Sequence, residues 1–67
     1  MKVLRVEREK RGWSQAELGR RAGLHPATVS LVERGRLAPY PRQLAKLAHA
    51  FRLPLNAAEH LMEEVDG

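Results

Sequence analysis

The apolar residues of the chain fall into short segments with the spacing of amphipathic helices, and turn-forming residues separate these segments. Gly12, Gly23 and Gly35 each follow such a segment, where a helix commonly ends on a left-handed residue. Pro26 and Pro41 stand where the first turn of a helix has no use for an N–H group. No segment alternates as a β-strand does. The pattern predicts an all-α fold of five short helices, over about 3–11, 15–22, 26–34, 41–53 and 55–65.

Polar side chains before two of these segments predict how the helices begin. Ser14 and Glu17 have the spacing of a capping box for the second helix, and Asn56 and Glu59 have it for the fifth. The apolar stripes within the helices predict the interior of the domain. The predicted core residues are Trp13, Leu18, Leu24, Val29 and Val32, with Leu44, Leu47, Ala48 and Phe51 in the fourth helix.

The turn between the second and third helices is the feature that bears on function. Gly23-Leu24-His25 is too short for antiparallel packing, so the two helices must cross steeply. Gly19 lies one turn before Gly23, and its small size allows the third helix to approach closely. This geometry is typical of a helix-turn-helix, whose second helix fits a DNA major groove. An ordinary helical bundle with a tight corner is the alternative that the turn alone leaves open.

The distribution of charge adds a candidate partner. The net charge is +4; residues 1–36 hold nine basic and four acidic side chains, whereas residues 37–67 hold three and four. A basic half beside a slightly acidic one suggests that one surface meets a polyanion such as nucleic acid. A solvated basic face without a partner is the alternative.

The composition argues against several other classes of protein. Sixty-seven residues are enough for one domain, and without cysteine there is neither a disulfide framework nor a thiolate metal site. The early charges argue against a signal peptide and no apolar run approaches a membrane span, so we expect a cytoplasmic protein without membrane contact. The three histidines lack metal-ligand spacing, and no nucleophile, carboxylate pair or metal set indicates catalysis. We therefore expect no enzyme activity, no metal and no other cofactor.

A series of short motifs runs through most of the chain in an unbroken order. They are Leu4-Arg5-x-x-Arg8, Gly12-Trp13-Ser14-Gln15-Ala16-Glu17-Leu18, Ala22-Gly23-Leu24, Thr28-Val29-Ser30, Glu33-Arg34-Gly35-Arg36 and Leu44-x-x-Leu47-Ala48-x-Ala50-Phe51. Together these motifs resemble the phage-repressor and Cro family of transcription regulators over about residues 3–61. The resemblance implies a lambda-repressor-like domain, usually a dimer on a two-fold symmetric operator, with its helix-turn-helix at about 15–34.

The resemblance also implies roles for individual residues. Gln15 matches a glutamine that binds a phosphate and braces the reading helix, although it is also simply a good helix former. Arg8 and Glu33 match a structural pair that ties the first helix to the end of the third. With Val29 and Val32 inside, the opposite face of the third helix is expected to meet DNA. The predicted DNA-binding residues are Gln15, Pro26, Ala27, Thr28, Ser30, Leu31, Arg34, Arg36 and Arg42.

Some of these positions depart from the family pattern. The reading face has few hydrogen-bond donors, and Arg34 can bind either guanine or phosphate. Leu31 can meet a thymine methyl group or lean on the second helix. His25 stands where a serine or threonine usually caps the third helix, so we expect a poor cap or a phosphate neighbour. Tyr40 replaces a small cap before the fourth helix, where it can cover the core or stack on the DNA backbone.

An apolar stripe near the C-terminus suggests a second contact. Leu61, Met62 and Val65 are predicted to meet a two-fold mate in a homodimer, although Leu61 can instead be core. The sequence thus predicts sequence-specific binding of a double-stranded DNA operator by a small transcriptional repressor, with no small-molecule ligand. The alternative is an interaction module, such as an antitoxin or a restriction-system controller, that chiefly binds a protein partner.

Overall fold

The structure, a computed structural model, describes residues 1–66, and within this range it is helical with no named strand. Four α-helices are followed by a single 3₁₀-helix, so the all-α prediction with five helices is confirmed. The elements are α1 (Val3–Lys10), α2 (Gln15–Ala22), α3 (Pro26–Glu33), α4 (Pro41–Ala50) and the 3₁₀-helix Leu55–Met62.

Two left-handed glycines end the helices of the helix-turn-helix. Gly23 has a φ of 71°, and the N–H of Leu24 donates to the Gly19 carbonyl at 2.8 Å. Gly35 has a φ of 72°, and the N–H of Arg36 donates to the Leu31 carbonyl at 2.9 Å. Both are hydrogen bonds of the Schellman motif, which satisfies carbonyls that a helix end leaves without a partner.

The close approach predicted at Gly19 is present in the turn. A β-carbon at this position would lie 2.5 Å from the carbonyl oxygen of Leu24, so a side chain would force the turn to shift. The small residue therefore allows the chain to fold back directly over α2 before α3 begins.

Only half of the capping box predicted for α2 is observed. The Ser14 Oγ accepts from the Glu17 N–H at 3.0 Å, as predicted. The Glu17 carboxylate does not bond back to the cap, because it accepts hydrogen bonds from Arg20 and Arg21 on the surface of α2.

The last helix differs from the prediction in type and in length. It is a 3₁₀-helix that ends at Met62, and Pro54 stands at its N-cap without a side-chain cap, so the capping box of Asn56 and Glu59 is wrong. The residues that follow are extended, with an antiparallel bridge between Lys2 and Glu64. These pairings with the first residues engage backbone groups that a longer helix would bond within itself.

Hydrogen bonds on both sides of the bridge fasten the two ends of the chain together. The N–H of Val3 donates to the Glu63 carbonyl at 2.8 Å, and the N–H of Val65 donates to the Met1 carbonyl at 2.8 Å. The pairing carries Val65 off the helical stripe on which the sequence placed it.

The core lies where the five helices meet and is apolar throughout. Trp13, Leu24 and Leu44, predicted to be core, are only partly buried against it. Tyr40 is 73% exposed, so it does not cover the core. The buried hydrophobic residues are Val3, Leu4, Leu18, Ala22, Val29, Val32, Leu47, Ala48, Phe51, Ala58 and Leu61.

Trp13 lies at the edge of the core, beside the end of α4, and is only partly buried. Its ring stacks on Phe51, with centroids 5.6 Å apart and planes 8° from parallel. The guanidinium of Arg21, an exposed side chain, lies 4.3 Å from the centroid of the indole ring and forms a cation–π contact with it. This stack fixes the segment between α1 and α2 against α4.

Arg52 offers a test of how α4 ends. It is a non-glycine residue with a φ of 58°, and the Leu53 N–H after it donates to the Ala48 carbonyl at 2.9 Å. A β-carbon disfavours this left-handed conformation by about 1–2 kcal/mol. Glycine avoids that strain but loses more chain entropy on folding, which cancels part of the gain. We expect Arg52→Gly to raise the free energy of unfolding by about 0.5–1 kcal/mol over Arg52→Ala, measured by urea denaturation. Equal stability of the two variants would contradict the proposed strain.

Candidate nucleic-acid interface

A buried ion pair joins α1 to the end of α3. Arg8 Nε donates to Glu33 Oε2 at 2.6 Å, and Arg8 Nη2 donates to Glu33 Oε1 at 3.1 Å. The Glu33 side chain is 3% exposed and that of Arg8 is 11% exposed. The hydrogen bond from Arg8 to Glu33 raises the pKa of Arg8 further above its usual value. The pairing that the resemblance implied is therefore present.

Two further hydrogen bonds extend this pair to the start of α2. Arg8 Nη1 donates to the Trp13 carbonyl at 2.8 Å, and Gln15 Nε2 donates to Glu33 Oε1 at 3.0 Å. Gln15 thus braces α3 in the way the resemblance implied, whereas its contact with a phosphate stays a prediction. We call these four residues, Arg8, Trp13, Gln15 and Glu33, the bracing network.

The first basic surface is a concavity beside the bracing network. Gln15, Arg34 and Arg36, which the sequence assigned to DNA, meet there with Arg5 and Met1. The backbone N–H groups of Gln15 and Ala16 have no hydrogen-bond partner among the described residues, because Ser14 caps only Glu17. A concavity lined by arginines and by Gln15, the first residue of α2, can hold an anion such as a phosphate.

Sequence reasoning did not single out Arg5 as a binding residue. The sequence feature that could have identified it is its position three residues before Arg8, which places both arginines on one face of α1. Arg5 also pairs with Glu9 at 2.9 Å, but about half of each side chain remains exposed, at 48% and 46%.

The second basic surface lies at the other end of α3. It is formed by Leu24 of the turn and by Tyr40, Arg42 and Lys46 at the start of α4. Arg42 therefore does not join Arg34 and Arg36, which follow the C-terminal end of α3. Lys46, which the sequence did not single out, stands one helical turn after Arg42.

Ion pairing separates the arginines that brace the fold from those that remain available. Every acidic side chain of residues 1–36 is paired, and a hydrogen bond from an arginine is the largest cause that lowers the pKa of Glu7, Glu9 and Glu17. The pairs are Glu7–Lys10, Glu7–Arg11, Glu9–Arg5, Glu9–Arg8, Glu17–Arg20, Glu17–Arg21 and Glu33–Arg8.

The basic residues at the ends of α3 have no such partners. Arg34, Arg36, Arg42 and Lys46 are exposed, and none forms an ion pair with another residue of the described range 1–66. The charge of these four side chains is therefore compensated by solvent and counterions alone.

Between the two basic surfaces, α3 divides into a buried face and an outward face. Val29 and Val32 are fully buried, with 0% and 1% of their surface exposed. Leu31 is 37% exposed on the outer side of the helix. On the outward side, Pro26, Ala27 and Arg34 are exposed, and Thr28 and Ser30 are half-buried.

The cap of α3 differs from the expectation for His25. Its Nδ1 accepts a hydrogen bond from the Ala27 N–H at 3.0 Å, and its backbone is extended, as at other N-caps. The imidazole is thus a working cap in place of the usual hydroxyl side chain, and its ring remains exposed.

The residues assigned to a dimer contact do not form one stripe. Leu61 is fully buried, so its side chain belongs to the core and is not available on the outer surface. Met62 is partly buried beside Lys2 and Leu37, and Val65 is 38% exposed in the extended segment. Met62 and Val65 remain as candidate contacts.

The described residues offer neither a metal site nor a membrane-spanning helix. Among residues 1–66, no group of three or more histidine and acidic side chains is placed to hold a metal ion. In the same range, none of the helices combines the length and the apolar character needed to cross a membrane.

Comparison with known proteins agrees with this architecture. A family model described as a helix-turn-helix domain matches residues 2–61, from the start of α1 to the end of the 3₁₀-helix. Searches of curated proteins and of solved structures gave no match. Because the matched region contains α2, the tight turn and α3 in their observed order, the chain belongs to the helix-turn-helix domain family.

Proposed function

We propose that the protein is a sequence-specific transcriptional regulator of the phage-repressor and Cro type, which reads the DNA major groove with α3. The observation that carries the proposal is the position of α3 between two basic surfaces whose exposed cations form no ion pair with another residue of the range 1–66. These cations are Arg34, Arg36, Arg42 and Lys46. A major groove is bordered by a phosphate backbone on each side, so a helix with cations near both ends suits it. The protein acts in this proposal by binding, not by catalysis, and needs neither a metal nor a cofactor.

Both surfaces contribute affinity through contacts to phosphates, each on a different strand of the DNA. Arg34, Arg36 and the N–H groups that open α2 face one backbone, and Arg42 with Lys46 faces the other. Arg8 is assigned no phosphate, because its guanidinium is already bound by Glu33 and by the Trp13 carbonyl. Such contacts orient the protein and make its binding depend on salt.

Selectivity rests on short and apolar side chains. Pro26, Ala27 and Leu31 offer no donor to a base edge, and the hydroxyl groups of Thr28 and Ser30 can bond either way. The base code is therefore expected to combine contacts to thymine methyl groups with recognition of DNA shape.

Repression is favoured over activation by the resemblance to phage repressors. The second candidate, a module that chiefly binds a protein partner, is favoured by exposed apolar side chains away from α3, such as Leu55 at 71%. A gel-shift assay on random genomic fragments at increasing salt separates the two, since only a DNA reader retains selected fragments as salt rises.

Arg36 tests the phosphate contacts. We expect Arg36→Ala to weaken binding to all DNA sequences alike and to reduce the salt slope of log K by about one unit, because one phosphate contact is lost. Arg52→Ala is the matched control, since it removes the same charge outside both basic surfaces. If both variants keep the wild-type slope, Arg36 does not contact the backbone.

Leu31 tests the reading face. An exposed leucine in the middle of α3 is explained by a thymine methyl group that covers it in the groove. We expect Leu31→Ala to melt near the wild-type temperature but to lose about 1–3 kcal/mol at one A·T pair, where it should no longer distinguish thymine from uracil. The alternative, packing of Leu31 on α2, predicts a lower melting temperature with the preference for thymine intact.

Met62 tests assembly. We propose a homodimer through the surface of Met62 and Val65, because one two-turn helix makes few base contacts, and a dimer reads two half-sites about 34 Å apart. We expect Met62→Glu to be monomeric by light scattering and to bind a two-half-site operator more weakly, with single-half-site binding unchanged. A wild type that is monomeric both free and on its operator would contradict the proposal.

A further inference from the structure

The cap of α3 fixes where the proton of an exposed imidazole must lie. His25 Nδ1 accepts the Ala27 N–H at 3.0 Å, and an acceptor nitrogen must carry a lone pair. The neutral ring therefore holds its proton on Nε2. Because no hydrogen bond occupies Nε2 within the described residues, the capped ring presents a single N–H donor to the outside.

This donor stands where the reading helix has few others. Pro26 and Ala27 follow it directly in the first turn of α3, and neither side chain can donate or accept a hydrogen bond. The N-terminal residues of a reading helix are those that reach base edges in the major groove. His25 thus supplies at this end of α3 the polar contact that its two neighbours lack.

We propose that His25 is a specificity-determining residue whose Nε2–H donates to the N7 atom of a purine in the operator. Purine N7 is a hydrogen-bond acceptor in the major groove, whereas the amino groups of cytosine and adenine are donors. A free imidazole can pair with a donor or with an acceptor. In His25 the Ala27 N–H occupies Nδ1, so only the Nε2–H donor remains available. The cap therefore restricts the partner to an acceptor atom, of which N7 is the one that both purines share, and the inference rests on the proposed reading of DNA by α3.

Two substitutions separate reading from capping. His25→Ser retains a side chain that can cap α3 but removes the distant Nε2–H, whereas His25→Ala removes both. We expect thermal melting to place His25→Ser near the wild type and His25→Ala below it. His25→Ser is therefore the variant for binding measurements.

The experiment uses the operator that the wild-type protein selects from a random DNA pool, with each purine in turn replaced by its 7-deaza analogue. We expect one replacement to weaken wild-type binding about three- to tenfold, as for the loss of one hydrogen bond. His25→Ser should bind the unmodified operator more weakly by a similar factor and be indifferent to that replacement. Wild-type indifference to every replacement, or equal sensitivity of His25→Ser, would overturn the inference while leaving DNA binding intact.

A measurement on the free protein separates this inference from the proposed function. Nitrogen-15 NMR of the histidine rings should find the proton of His25 on Nε2 in wild-type protein without DNA. A proton on Nδ1 would overturn the inference whether or not DNA binds. Failure of the wild-type protein to select any sequence would overturn the proposed function, and the role of His25 in it.

Discussion

The position of α3 depends on the buried pair between Arg8 and Glu33. Removing one partner of such a pair leaves a charge without its counterion in a partly buried site, where solvent from the adjoining concavity keeps the cost below the ~3–5 kcal/mol of a fully buried pair. The same two side chains also bind the Trp13 carbonyl and the Gln15 amide, so the loss of either charge would also remove a hydrogen bond to the segment that opens α2. A domain of 67 residues has little stability to spare for such a loss.

The same pair has an electrostatic consequence at the surface. Glu33 lines the first basic surface, where an uncompensated carboxylate would repel a phosphate. Because Arg8 neutralises it from the α1 side, the field of Arg34 and Arg36 remains positive. Arg8 thus supports the proposed phosphate-binding surface without being available to bind the phosphate itself.

Much of this architecture could be predicted from local sequence signals. The boundaries of α2 were correct at both ends, because Ser14 and Gly23 act through bonds to residues within four positions. The pairing of Arg8 with Glu33 was found through the family resemblance. Local signals failed at the C-terminal end, where Glu63 and Val65 pair with residues some sixty positions earlier. No spacing of residues within the segment 55–65 contains that information.

The candidate site shows the same division between local and long-range information. The outward face of α3 was predictable because Val29 and Val32 mark its buried side by helical periodicity alone. The contributions of Arg5 and Lys46 were not, since each joins a surface formed by elements that only the tertiary fold brings together. The sequence predicts a poor cap or a phosphate neighbour at His25, because the preference for serine and threonine describes hydroxyl groups. An imidazole nitrogen satisfies the same N–H by a different geometry.

The small side chains on α3 have a consequence for how the proposed complex is held. Ala27 and Ser30 extend little from the helix, so α3 can lie deep in a groove before its backbone meets the bases. Depth brings the phosphates on either side nearer to Arg36 and Arg42, at opposite ends of the helix. In such a complex the backbone contacts and the apolar base contacts become dependent on each other, because a base pair that obstructs Leu31 also holds the arginines away from the phosphates. A helix with few hydrogen-bond donors can in this way obtain selectivity from contacts that carry no sequence information on their own.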